Sequence, residues 1–289
     1  MKNEYRENLK INVLPKLNYL EEFRKKTLFK TVLISVIYLF SGILFGYIFL
    51  RFNYINPIIL ACVLLGMNFF ILQAITIIIY ENRNFQSLLY KEIIQYMYKP
   101  VANFINWPKN QNTEAIINSK MFNNFDIQDD EDCVFGNYKN TNIIISKTRL
   151  TLPINGLENR NIFKGIVIQL EIEKNIQNNI IITLKNTKNT TKLQLLEINN
   201  KNFKAFGANQ NNLEIINESL FDILENILIS NNADDIKFSF NNKTILIFLA
   251  KKSPQRIGSI YKSVYSIKNY DKLINQFVAI FNLVDLINN

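Results

Sequence analysis

Two uncharged apolar runs, separated by six residues, constrain this chain more than any other feature. Thr31–Leu50 holds twenty residues without a charge and Pro57–Tyr80 holds twenty-four. A helix rises about 1.5 Å per residue, so either run reaches across the roughly 30 Å of a bilayer's hydrocarbon. The intervening "RFNYIN" has room only to reverse the chain direction. A signal peptide would start nearer the terminus, carry a shorter apolar stretch and end at a small-residue cleavage site. Core helices of soluble domains rarely come as two adjacent uncharged stretches of this length. The pattern therefore predicts a transmembrane hairpin over residues 28–80, with spans about 31–50 and 57–80.

The flanking charges predict its orientation. Lys2, Arg6, Lys10, Lys16, Arg24, Lys25, Lys26 and Lys30 precede the first run, and Arg83, Lys91, Lys99 and Lys109 follow the second. The turn holds Arg51 alone. Positive flanks stay inside, so the expectation is a multi-pass protein of the bacterial plasma (inner) membrane with both termini cytoplasmic. Tyr47, Phe52, Tyr54 and Tyr80 fit an interfacial aromatic belt. The net charge of +9 follows the same logic: residues 1–108 carry 12 Lys/Arg against 6 Asp/Glu, residues 109–289 carry 21 against 18. Basic excess thus gathers where anionic headgroups would be, and not on the soluble part, as nucleic-acid binding would require. The expected partner is the lipid bilayer, with no nucleic acid.

Within the spans, Gly42 and Gly46 form a GxxxG that permits close helix approach. Asn68 and Gln73 are polar at mid-depth, as a solute pathway or an interhelical hydrogen bond would need. With no charge at depth and only two helices, the four residues read as helix packing in an anchor.

Residues 1–27 read as a cytosolic N-terminal helix interrupted near Pro15, with Leu17, Leu20 and Phe23 on one face. Residues 81–109 read as an amphipathic juxtamembrane helix and linker, marked by Phe85, Leu88, Leu89, Ile93, Tyr96 and Met97 and stopped by Pro100. This helix either pairs with the N-terminal one as a stalk or lies on the lipid through Lys91 and Lys99. Residues 110–289 change to short alternating runs such as "TNIIIS", "IFKGIVIQLEI", "NIIITL" and "KLQLLEI". "NESLFDILENIL" predicts a helix capped by Asn217, and "IKFSFNNKTILIFLA" predicts a hairpin turning at Asn241 and Asn242. A closing helix shows Leu273, Ile274, Phe277, Ile280, Phe281 and Val284 on one face. Antiparallel strands with packed helices make this a cytosolic α+β domain.

Candidate chemistry is sparse. The chain has no histidine and two cysteines, Cys62 and Cys133, without metal spacing, which removes Ser-His and Cys-His hydrolysis and the usual zinc sites. The acidic stretch Asp126, Asp129, Asp130, Glu131 and Asp132 lacks EF-hand spacing and reads as a solvated loop. Glu171 and Glu173 alternate on a strand, as charges on a half-exposed strand do. Cys133 follows four acidic residues, which raises its thiol pKa. "SIYK" (Ser259 to Lys262) matches S-x-x-K, but no S-D-N or K-T-G accompanies it. No glycine-rich phosphate loop is present, and no cofactor or metal is expected. Lys251, Lys252, Arg256 and Lys262, in "KKSPQRIGSIYKS", offer a contact for headgroups or an acidic partner.

The order of parts resembles the bacterial membrane-protein family called domain of unknown function 3137. The likeness rests on "FKG" (Phe163–Gly165), "LEINNKNFKAF" (Leu196–Phe206), "INESLFDILENI" (Ile216–Ile227), "IKFSFNNKTILIFLA" and "FNLVDLIN". Where family members often carry an acidic residue and an arginine, this chain has Asn209 and Glu214. The family has no assigned activity, so the resemblance implies architecture only. The leading expectation is a non-enzymatic membrane-anchored interaction or scaffolding module, binding another protein or further copies of itself. The alternatives are a sensor of anionic headgroups or a small ligand, and an enzyme of unknown type.

Overall fold

The computed structural model describes residues 2–52, 57–99, 101–106, 113–122, 125–153, 160–187, 193–207, 216–251, 257–266, 268 and 270–288. Helix α1 (Lys2–Asn8) leads through a π turn (Leu9–Val13) and a 3-10 turn (Leu14–Leu17) into α2 (Asn18–Phe52) and α3 (Pro57–Met97). Then come β1 (Ile105–Asn106), α4 (Thr113–Asn118), β2 (Ile127–Tyr138), β3 (Thr141–Leu152) and β4 (Arg160–Leu184). The chain closes with β5 (Gln194–Leu196), β6 (Phe203–Gly207), α5 (Glu218–Asn231), β7 (Asp235–Ala250) and α6 (Asp271–Asn288). The fold is α+β: long apolar helices near the N-terminus and an antiparallel seven-stranded sheet.

Two compact units divide the chain. The helical unit is Lys10–Tyr90 with Arg256–Ser266; the sheet unit is Met1–Leu9, Lys91–Gln255 and Ile267–Asn289. This partition differs from a linear one, because the first residues belong with the sheet and part of the loop after β7 belongs with the helices.

In the helical unit, Lys10 to Leu20 show why the N-terminal segment is not one regular helix. Pro15 lacks an N–H and interrupts the ladder, producing the 3-10 turn. The buried face is Val13, Leu14, Leu17, Leu20, Glu21 and Arg24, whereas Phe23 is 46% exposed. The expectation that Phe23 shares a face with Leu17 and Leu20 is corrected, since three- and four-residue steps from Leu17 reach Leu20, Glu21 and Arg24. Helix α3 runs unbroken to Met97, so residues 82–97 continue the helix that begins at Pro57. Among the described residues, two helices are long and apolar enough to cross a membrane, and only 22% and 6% of their most apolar windows are buried. Phe29, Phe40, Ile43, Leu65, Phe69 and Leu72 are all more than half exposed.

In the sheet unit, the neighbours run β1-β2-β3-β4-β6-β5, and β7 also pairs with β4. Two runs read from the sequence as separate strands are one 25-residue strand, β4. The expected hairpin of residues 236–250 is likewise one strand, β7, paired with β4 from Thr183↔Lys237 to Gly165↔Ala250. Asn242 does adopt a left-handed φ of 54°, but inside β7, opposite a register irregularity whose extra residues lie in β4. In β4 the stretch from Glu171 to Ile180 faces only Thr244 to Phe240 of β7. Both faces of this pair are covered. Val167, Leu246 and Phe248 join Ile116 and Met121 in one apolar cluster, while Ile166, Ile168, Ile245 and Ile247 are equally buried by alternation. Gly165 has no space for a Cβ against the Leu249 carbonyl, which explains a glycine there.

Helix α5 starts as expected, with the Leu220 N–H donating to the Asn217 side chain at 2.9 Å, a cap contributing about 1 kcal/mol. All six residues assigned to the inner face of α6 are buried. Phe277 and Phe281 of α6 meet Tyr98 at 4.4 and 5.6 Å between ring centroids, and Tyr5 packs on Tyr98 at 5.3 Å.

Candidate functional site

Among the described residues a dense long-range polar constellation lies in the helical unit, where residues 257–266 are bonded to α2 and α3. Glu21 and Arg24 are three apart on α2 and therefore share a face with Leu17 and Leu20. Both are buried, at 7% and 8% exposure. Burial of charge demands pairing, and the pair is bidentate: Arg24 Nη2 and Nε donate to the two Glu21 oxygens at 2.7 and 3.0 Å. Their remaining capacity goes to the loop. Arg24 Nη1 donates to the Ile260 carbonyl at 2.6 Å, and the Val264 N–H donates to Glu21 Oε2 at 2.9 Å. The Arg24 guanidinium first, and the Val264 N–H after it, hold the Glu21 carboxyl below its ordinary value against the opposing effect of burial. Glu21 in turn pushes Arg24 up.

Helix α3 supplies the other half of the seat. Asn82 Oδ1 accepts from the Ile260 N–H at 3.0 Å and from Ser259 Oγ at 3.1 Å, and Gln86 Nε2 donates to the Gly258 carbonyl at 2.8 Å. Ile257, Ile260 and Val264 are buried beneath these bonds, while Tyr261 is 55% exposed and Lys262 faces solvent. Gly258 is required twice over: its φ is +69°, and a Cβ would lie 2.5 Å from Leu89 Cδ2. At the outer end of the loop, Tyr265 Oη donates to Asn18 Oδ1 at 2.8 Å.

This arrangement places several sequence-predicted residues differently. Lys251 is buried in the sheet unit, donating to the Asn231 carbonyl at 2.7 Å, so it is no headgroup contact. Burial, reinforced by Lys272 and Lys147, brings its pKa down to about 8. Lys262 is exposed, whereas Lys252 and Arg256 lie outside the described residues, as do Asn209 and Glu214. The S-x-x-K pair is not catalytic geometry: Ser259 Oγ donates to Asn82, and what Lys262 offers Ser259 is its backbone N–H, at 3.0 Å from the Ser259 carbonyl.

Gly42, Gly46 and Gly66 are where α2 and α3 touch. A Cβ at Gly46 would lie 2.8 Å from Met67 Sδ, one at Gly42 3.2 Å from Phe70 Cβ, and one at Gly66 2.6 Å from Phe45. Asn68 donates to the Leu64 carbonyl at 2.9 Å within its own helix and is exposed, so it forms no interhelical bond. Gln73 is half-buried.

The acidic stretch is a strand and not a loop. Asp132 bulges from β2 with φ 52° and contacts Lys147, with Lys91 at 3.8 Å. Asp130 accepts from Thr148 Oγ1 at 2.5 Å and from Gln128 at 2.6 Å. Among the described residues no three His, Cys, Asp or Glu side chains converge as a metal site. Burial and Asp130 push the Cys133 thiol up to about 12. Glu171 is engaged by Asn142 and Gln169. A shallow recess beside β7 has Glu114 as its one carboxylate, with Asn118, Asn241 and Lys243.

Sequence reasoning passed over Glu21, Arg24, Asn82 and Gln86. The available signal was two charges on the apolar stripe of Leu17 and Leu20, which required a partner from elsewhere in the chain.

No family model matches the chain. No curated protein matches it either. Among solved structures it is similar to the crystal structure of the mycobacterial trehalose monomycolate transport factor A, TtfA, at 9% identity and a TM-score of 0.34, over 54% of this chain and 71% of that one.

Proposed function

We propose that this chain is a two-span protein of the bacterial plasma membrane, with both termini cytoplasmic, displaying its α+β unit as a non-enzymatic interaction or scaffolding module. The observation that carries the reading is the bare apolar surface of α2 and α3, from Phe29 to Ile48 and from Leu64 to Tyr80. Covering one such side chain contributes about 1.5–3 kcal/mol. Ten left in water would forgo as much as the whole ~5–15 kcal/mol that stabilises a domain. Lipid is the cover that fits a surface this long and free of charge.

The non-enzymatic part draws on the sheet unit. Its thiol is buried and held protonated, and its clustered carboxylates are engaged by Lys147, Thr148 and Gln128. Gly42 and Gly46 are occupied by Phe70 and Met67 inside the hairpin, which favours a different protein over a second copy as partner.

The test is fractionation followed by capture. Full-length protein is expected to stay in the membrane pellet through an alkaline carbonate wash and to leave it only in detergent. Tagged protein in mild detergent is then expected to retain a defined partner, absent from an untagged control. Recovery in the soluble fraction overturns the membrane reading, and an empty capture overturns the scaffolding one.

A further inference from the structure

The loop seat has a depth, and the depth says what the loop meets. Lys30 and Glu81 stand opposite each other at 4.0 Å, immediately outside the uncharged runs. At about 1.5 Å per residue, Lys26 lies roughly 6 Å further out along α2 and Arg83 roughly 3 Å further out along α3. A leaflet's headgroup layer is roughly 5–8 Å thick, the difference between a bilayer's hydrocarbon and its full width. Ile260 is held both by Asn82, one residue beyond Glu81, and by Arg24, roughly 9 Å beyond Lys30, so the exposed Tyr261 and Lys262 are fixed between those two levels.

We propose that residues 257–266 complete a collar, with Lys26, Lys30 and Arg83, that binds the anionic lipid headgroups of the inner leaflet. This rests on the membrane reading above. The collar's charge is complementary to such a surface: Lys26, Arg83 and Lys262 are exposed, and the nearby carboxylates are Glu81, against Lys30, Glu21, paired with Arg24, and Glu22. Tyrosine beside lysine is the composition that settles at a lipid–water boundary, with the ring body in the apolar edge and the hydroxyl and ammonium outward. The seat gives the collar its precision. Glu21, Arg24, Asn82 and Gln86 fix the loop backbone, so Tyr261 and Lys262 are presented on a rigid support.

The experiment measures the thermal midpoint of full-length protein in mild detergent. Phosphatidylglycerol, phosphatidylcholine and inorganic phosphate are titrated in separately. Phosphatidylglycerol is expected to raise the midpoint, and phosphatidylcholine and phosphate to leave it unchanged. The double variant Tyr261→Ser/Lys262→Glu, altered only at exposed side chains, is expected to lose at least half of that shift. A second variant, Lys26→Gln/Arg83→Gln, is expected to lose a comparable share with the loop intact. Equal shifts from both lipids, a shift from phosphate alone, or full shifts in both variants overturn the collar. Should the carbonate wash release the protein, the membrane reading has failed; a carbonate-resistant protein indifferent to phosphatidylglycerol fails this inference alone.

Discussion

Glu21 shows how one buried carboxylate can determine the state of a loop 243 residues away in the chain. It binds Arg24 through both oxygens and accepts the Val264 N–H, so its removal leaves a buried guanidinium without a counter-ion. Breaking one side of such a pair costs about 3 kcal/mol, or about a hundredfold in the equilibrium that holds the loop. In Glu21→Ala, hydrogen-exchange protection of the Val264 amide is expected to fall by about that factor. The pH dependence carries a sign. The folded carboxyl titrates below its ordinary 4.5, so below that pH the unfolded chain binds more protons than the folded one. Val264 protection should hold above pH 4.5 and decline as pH falls further, and Glu21→Ala should show a flat, low profile. Equal protection in the two proteins would remove Glu21 from the seat. The sequence displayed Glu21 and Arg24 on an apolar stripe but could not show what they hold, because the acceptor and donor are backbone groups of a distant loop.

At the scale of elements, the regular parts were the legible ones. The cap at Asn217, the inner stripe of α6 and the two apolar helices follow from local periodicity and appear where it put them. The strands did not, and Asn241-Asn242 explains why. Two asparagines between apolar runs suit a hairpin turn and a bulge equally, since both require a residue that tolerates positive φ. What decides is a partner strand that pairs with both halves of the segment, and β4 does so on either side of the extra residues it carries between Glu171 and Ile180. A two-residue hairpin turn of type I′ would need positive φ at both asparagines, whereas only Asn242 of the two has it. Asn242→Val is therefore expected to destabilise by about 1–2 kcal/mol, the cost of a β-branched residue in left-handed backbone. Asn241→Val should lose about 0.5–1 kcal/mol, the worth of its exposed hydrogen bond to the Asn118 carbonyl. Asn242→Gly should be nearly neutral. Thermal midpoints of the three full-length variants separate the cases, since a hairpin turn would penalise both valines alike.

For the molecule as a whole, the charge asymmetry that suggests an orientation also determines which surfaces any partner can reach. On the proposed membrane reading, eight basic residues before the first apolar run against the single Arg51 in the turn place that flank inside. Cysteine labelling can read this directly because the native thiols interfere little: Cys133 is buried with its thiol held protonated, and Cys62 can be replaced by serine. In that Cys62→Ser background, Arg51→Cys is expected to react with a membrane-impermeant maleimide on intact cells. Lys2→Cys and Asn288→Cys should react only after permeabilisation. Labelling of Lys2→Cys or Asn288→Cys from outside would invert the topology. It would also carry Lys26, Arg83 and Lys262 to the outer leaflet, where the collar's basic charge would face a different lipid population. One labelling experiment thus bears on the orientation and on the side from which the headgroups are met, while leaving the packing of α2 on α3 untouched.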